Sequence, residues 1–190
     1  MSKPTQSKPS QSKALNVTFS HFGIFVTDID RIRDFYVNNF GFLETDRGPL
    51  GDRTACFLSQ DPTEHHQMAL ISGRPEDVSF NVVNQISFRL QSLAELKAAH
   101  ARMQAQQVDE LVTITHGNAL SIYFRDPEGN RIEMFVDMPW QVSQPIRESI
   151  NLDRPDAEIL KETEALCRSM PGFRPRAEWE AEMRRRLAAR

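Results

Sequence analysis

Glu133 stands inside a short β-favouring run, Arg131-Ile132-Glu133-Met134-Phe135-Val136. His21 lies near the start of another, Phe19-Ser20-His21-Phe22-Gly23-Ile24-Phe25-Val26. Gln85 holds the equivalent place in a third, Val83-Asn84-Gln85-Ile86-Ser87-Phe88. An imidazole, an amide and a carboxylate presented by three strands would hold a divalent metal on one side and leave the other side open. That facial arrangement is what non-haem Fe(II) needs to bind a substrate and dioxygen together. The ordinary reading stands beside it: a lone strand histidine is commonly a hydrogen-bonded surface or core residue, and a Glu after a Gly-Asn turn is commonly solvated. Asn84 is an alternative to Gln85 should the register slip by one residue.

An internal repeat is what would bring the three groups together. Phe19 to Ile29 overlays Val83 to Leu93 as a short β-favouring run leading into a helical pattern. In the first copy Ile32, Phe35, Tyr36 and Phe40 share a helical face, and Gly41 is placed to end the helix. In the second, Leu93, Leu96 and Met103 share a face, and Ser92-x-x-Glu95 has the form of a capping box. Strand-like pieces follow each helix, about 42–47, 54–59 and 65–72, then about 108–115, 120–125 and 131–137. Asp126-Pro127-Glu128-Gly129 suits a tight turn that joins the last two as a hairpin.

The chain therefore reads β-α-β-β-β twice, about 15–73 and 82–138. The expected fold class is α+β, with paired βαβββ modules forming a cup-shaped, barrel-like mixed sheet. Alternation along the last strand puts Ile132, Met134 and Val136 under a helix and turns Glu133 and Phe135 into the cup. The same parity gives His66, Met68 and Leu70 one face, with Phe22, Phe135 and Met68 as candidate pocket walls and core packing as the favoured alternative for all three.

The net charge is -3 over 190 residues, and no basic excess points to nucleic acid. Arg184, Arg185, Arg186 and Arg190 read as the solvated face of a terminal helix. Cys56 and Cys167 lie far apart and outside any CxxC pair, which fits a reducing interior. No apolar run approaches membrane-spanning length. Residues 1–14 read as a disordered polar arm without a secretory signal, so a cytoplasmic protein is expected. From Met138 onward, prolines punctuate the chain, and residues 139–190 form a helical extension with helices expected about 156–167 and 177–189. Trp179, Met183 and Leu187 give the last helix an apolar stripe for docking on the cup or on a neighbouring subunit. Open sheet edges and that stripe imply a homo-oligomer.

The run Asp126-Pro127-Glu128-Gly129-Asn130-Arg131-Ile132-Glu133-Met134-Phe135 resembles the end of the catalytic module in the type I extradiol dioxygenases of the vicinal oxygen chelate superfamily. The likeness covers about Val17 to Pro139 and looks like a one-domain, catechol 2,3-dioxygenase-like member. It implies that Glu133 and His21 are metal ligands and that His66 of the His65-His66 pair is the acid–base histidine. It also implies that Tyr123 contacts bound substrate and that His116, in His116-Gly117, helps to position it. The implied reaction is cleavage of a catechol-like ring by dioxygen at Fe(II). Gln85 departs from the pattern, which has His there, and brings Mn, Ni or Zn into consideration. Within the same superfamily, a glyoxalase- or epimerase-type lyase or isomerase accommodates Gln85. A drug-sequestering binding module would not need His21 and Glu133, and an assembly protein built on the terminal helices is a third rival. His65 or His66 is also open as a third ligand in place of a base.

Overall fold

The computed structural model describes residues 17–78 and 80–189; the polar arm expected at 1–14 lies outside them. The first module runs β1 (Phe22–Val26), α1 (Ile29–Phe40), β2 (Leu43–Leu50), β3 (Arg53–Ser59) and β4 (Met68–Ser72). Its four strands order as β1-β4-β3-β2, with β1 parallel to β4 and the other pairs antiparallel. The second module repeats the plan with β5 (Ile86–Arg89), α2 (Leu93–Ala105), β6 (Val112–Thr115), β7 (Ala119–Arg125) and β8 (Arg131–Asp137). Here β5 is parallel to β8, the counterpart of β1 beside β4. The repeat read from the sequence is thus a repeat of topology.

Local chemistry sets the ends of the helices. Asp28 caps α1 by accepting the N–H of Arg31 at 3.0 Å, and Gly41 ends the helix in the left-handed region at φ 74°. Ser92 caps α2 through the N–H of Glu95, while the Glu95 carboxylate returns to the N–H of Gln91 at 2.8 Å. The box is therefore closed one residue upstream of its usual reciprocal bond. Asp126 organises the β7–β8 turn. Its carboxylate accepts the N–H groups of Glu128 and Asn130, and its carbonyl accepts the N–H of Gly129 at 2.9 Å.

One apolar core serves both modules, with α1 and α2 on its outer side. Ile32 and Tyr36 of α1, Leu96 and Met103 of α2, and alternate residues of both sheets are fully buried. Each such side chain contributes roughly 1.5–3 kcal/mol by leaving water. Polar contacts also join the modules, among them those of Tyr36 and Glu128. The Tyr36 hydroxyl reaches Asp126 at 3.3 Å, and Glu128 accepts the N–H groups of Thr27 and Asp28, both at 2.7 Å, at the start of α1. A carboxylate there also meets the positive end of the helix.

The cup-shaped arrangement of mixed strands is as the sequence reading had it, built from separate four- and five-stranded sheets with no closed barrel among the described residues. Two features differ. Met68 and Leu70 point into the core at 0% exposure, so they do not share a face with His66 or line a pocket. The parity argument fails there because β4 begins at Met68 and His66 lies in the irregular segment before it. The extension is also more than two helices. It adds β9 (Trp140–Gln141), β10 (Glu148–Ser149), α3 (Asp156–Arg168), β11 (Arg174–Pro175) and α4 (Arg176–Ala188), and β10 joins the second sheet beside β6. Whereas α3 buries Ile159, Thr163 and Cys167, α4 buries nothing, and Leu187 is 56% exposed. The helix faces carrying Arg184 and Arg186 are solvated, each guanidinium pairing within its own helix with Glu180 or Glu182. Both cysteines are free and buried.

Candidate functional site

The β7–β8 register builds the centre of the site. Tyr123 pairs with Glu133, and the parallel β5–β8 register pairs Ser87 with Glu133 from the other side. Strand alternation therefore turns Ser87, Ser121, Tyr123 and Glu133 to the concave face, while Ile132, Met134 and Val136 go to the core. Glu133 faces the cup as expected, yet it is only 7% exposed.

A carboxylate that far from water needs partners. Glu133 has four. Oε2 accepts from Gln85 Nε2 at 2.7 Å and from Ser87 Oγ at 2.6 Å. Oε1 accepts from Ser121 Oγ at 2.8 Å and from the Tyr123 hydroxyl at 2.5 Å. Behind Tyr123 stands His116, with Nε2 at 2.8 Å from the hydroxyl and 3.8 Å from Glu133 Oε1. Its Nδ1 lies 2.7 Å from the carbonyl of Ile146, and a carbonyl only accepts, so Nδ1 carries the hydrogen. A neutral His116 then offers Tyr123 a lone pair, while the Tyr123–Glu133 contact calls on the same hydroxyl hydrogen. Both contacts hold together only when a further proton sits on Nε2 or on Glu133. The tyrosine itself remains a donor: burial, and then its bond to Glu133, push its hydroxyl up to about 12.

Gln85, Tyr123, His116 and Glu133 are thus brought together. His21 and His66 form a second group, each just before a strand of the first sheet, their rings 4.2 Å apart. His66 also packs on Phe57 at 4.8 Å, and its Nδ1 meets Nδ1 of His65 at 3.0 Å. Ser20 ties this group to Glu64, donating at 3.2 Å, and approaches His21 Nδ1 at 3.2 Å. Burial first, then His21 and His65, hold the His66 imidazole below its usual range. Among the described residues no hydrogen bond joins the two groups, and no three His, Cys, Asp or Glu side chains gather as a metal-holding cluster. The trio of His21, Gln85 and Glu133 contains only two groups of those kinds, with an amide as the third. In chemical type the set suits a divalent ion: a buried carboxylate, an adjacent amide whose rotation would present its oxygen, and an exposed imidazole.

Sequence reasoning missed Ser87, Ser121 and the Ile146 carbonyl. The serines were within reach of it. Ser121 is two residues before Tyr123 in the same strand, so alternation puts them on the same face, and Ser87 stands two residues beyond Gln85 in the same β-favouring run. The backbone carbonyl of Ile146 carries no side-chain signal.

This architecture of paired βαβββ modules, with a buried carboxylate on the inner face of the final strand, defines a class. Residues 18–134 match the model of the glyoxalase/bleomycin resistance protein/dioxygenase superfamily, and the chain belongs to that superfamily. Among curated proteins it is similar to biphenyl-2,3-diol 1,2-dioxygenase 3 of Rhodococcus globerulus, 27% identical over 123 residues. Biphenyl-2,3-diol 1,2-dioxygenase 2 of the same organism is 24% identical over 123 residues. The match spans 62% of the length of each relative, and 62% and 63% of this chain respectively. Among solved structures, a superfamily domain from Frankia sp. EAN1pec superposes with a TM-score of 0.56 at 18% identity, covering 66% of this chain and 94% of that one. The fosfomycin resistance protein FosX from Listeria monocytogenes gives 0.54 at 22% identity, covering 65% and 96%. These structural likenesses establish the fold alone. No helix among the described residues is long and apolar enough to cross a membrane.

Proposed function

We propose that the protein is a metal-dependent dioxygenase that opens the ring of a catechol-like diol with dioxygen. The observation that carries this reading is the bonded series Glu133–Tyr123–His116 on the concave face. It sets a hydroxyl donor directly beside a buried carboxylate, in the module through which the chain resembles two diol dioxygenases. Glu133, Gln85 and His21 would hold the ion, which we take to be Fe(II), with Mn, Ni or Zn as alternatives. Bound there, such an ion would supply Lewis-acid and redox chemistry to the diol and dioxygen.

The chain's own groups then do the rest. Tyr123, protonated across the working pH range, donates to a diol oxygen, and His116 holds the tyrosine in place. His66, whose imidazole burial and then His21 and His65 hold below its usual range, takes a proton from a diol hydroxyl. One ring carbon–carbon bond beside the diol breaks and both atoms of dioxygen enter the product, so no external reductant is required.

A lyase or isomerase reading is favoured by one observation. The ligand position in β5's approach holds Gln85, an amide, which suits a site that polarises a substrate oxygen without redox change. Dioxygen uptake by protein loaded anaerobically with Fe(II), across a panel of catechols, separates the two. Uptake that disappears in Glu133→Ala supports ring cleavage. Metal binding without uptake across the panel moves the assignment to the isomerase branch. His21→Ala tests the ligand set by metal affinity: unchanged affinity would remove His21 from it.

A further inference from the structure

The Tyr123 ring at the site is flanked by two arginines. The Arg131 guanidinium carbon lies 4.5 Å from the ring centroid and that of Arg147 lies 5.9 Å away. Arg131 is the first residue of β8 and half-buried; Arg147 belongs to the extension and is exposed. Other cations of this region have carboxylate partners. Arg125, opposite Arg131 in the hairpin, is bound to Glu110 at 2.7 Å, and Arg89 to Asp137 at 2.9 Å. Among the described residues, the guanidinium groups of Arg131 and Arg147 make no salt bridge and no hydrogen bond.

Arg147 is nonetheless held in place from both sides. The Ile146 carbonyl before it is bonded to His116, and Glu148 after it pairs with Thr115 in the second sheet. A guanidinium stacked on an aromatic face keeps its N–H donors directed outward in its own plane. Two such groups against one ring repel each other and are left with free donors. A bound anion relieves both conditions, and paired guanidinium donors match the two oxygens of a carboxylate. Arg131 also lines a cavity of about 430 Å³ with Phe80, Val82, Val83 and Asn84, large enough for the body of a small aromatic molecule.

We infer that the substrate carries an anionic substituent, a carboxylate or a group of like geometry, received by Arg131 and Arg147 beside Tyr123. The inference rests on reading this face as the reaction site, and it names the class of diol the site takes: an acidic one.

Calorimetric titration of the full-length, metal-free protein at low ionic strength tests it with two probes, 3-(2,3-dihydroxyphenyl)propionate and its methyl ester. The acid should bind about tenfold more tightly than the ester. Rising salt should erode that preference, because the arginines are solvent-accessible. Arg147→Gln, a change on an exposed loop that leaves the core intact, should remove about threefold of the preference. Adding Arg131→Gln should abolish it, and Arg131→Lys should restore part of it by charge alone. Equal binding of acid and ester, survival of the preference in the double variant, or binding of neither compound would overturn the inference. The outcome is separable from the ring-cleavage reading. Oxygen uptake with the ester and no preference for the acid would refute the inference alone. A preference for the acid without uptake in Fe(II)-loaded protein would refute ring cleavage alone.

Discussion

Gly117, between His116 and Asn118, is where the extension grips the site, and replacing it with Ala should be costly for two separable reasons. Its φ is +74°, a conformation an L side chain enters at roughly 1–2 kcal/mol. A Cβ built there would lie 2.9 Å from Cys167 Sγ, 3.0 Å from Val142 Cγ1 and 3.1 Å from Ile146 Cδ1. All three belong to the extension and all three are buried, so none can swing away, and overpacking of this kind costs roughly 1–3 kcal/mol. We expect Gly117→Ala to lose about 3 kcal/mol in urea unfolding with an unchanged m-value. Trp140 donates its indole N–H to the Gly117 carbonyl at 2.9 Å, which makes its fluorescence a local reporter. The double variant Gly117→Ala/Cys167→Ala divides the cost. Removing the sulfur relieves its share of the clash but not the backbone strain, so the pair should be more stable than the summed singles by about 1 kcal/mol. A loss below about 1 kcal/mol in the single variant, or additivity within about 0.5 kcal/mol in the pair, would refute the packing account.

Other perturbations probe other parts of the molecule. Both tyrosines are held above the usual phenol range, Tyr123 at about 12 and Tyr36 well above its ordinary value, through burial and then the neighbouring carboxylate. Absorbance at the tyrosinate band in metal-free folded protein should therefore stay flat through pH 10 to 11 and rise only on unfolding. The sign follows: the unfolded chain releases these protons first, so stability falls as pH climbs from 10 toward 12, and a folded-state titration centred at 10 would sink the assignment. Glu128→Ala removes the acceptor of the Thr27 and Asp28 N–H groups and the Arg74 contact at 3.6 Å. It should cost about 2 kcal/mol in thermal or urea unfolding, since water replaces part of what is lost; an effect under about 0.5 kcal/mol would show that the modules do not depend on it. His66→Phe should abolish turnover while sparing metal affinity, and loss of metal would make His66 a ligand instead.

The elements that were legible in the sequence are those governed by period and local chemistry. Ile32 and Tyr36 repeat at helical spacing, Gly41 supplies a left-handed stop, and Asp126 to Gly129 can do little but turn. Glu133 was placed correctly because the hairpin fixes its parity and leaves one arrangement for Ile132, Met134 and Val136. His66 defeated the same rule because alternation holds only inside a strand, and nothing in Glu64-His65-His66-Gln67 marks where β4 begins. Each donor around Glu133 stands on a face that alternation could assign, but that all four meet one carboxylate follows from two registers, one parallel and one antiparallel, and the parallel one depends on a tertiary contact with no local signature.

The extension was the least legible part and has the greatest consequence for the site. The superfamily match ends at residue 134, yet the carbonyl that fixes the His116 tautomer comes from Ile146. Gln144 adds a second brace, donating to the His116 carbonyl at 2.7 Å while its own oxygen takes the Ile146 N–H at 3.0 Å. Trp140 and Cys167 close on Gly117 from either side of that brace. The face that carries Glu133 and Tyr123 is thereby given a wall from outside the matched residues, built in part from backbone groups that composition and periodicity do not reveal. Differences in substrate between this chain and proteins that share residues 18–134 should accordingly trace to residues 140–167, where the wall is made, more than to the strands that carry Glu133 and Tyr123.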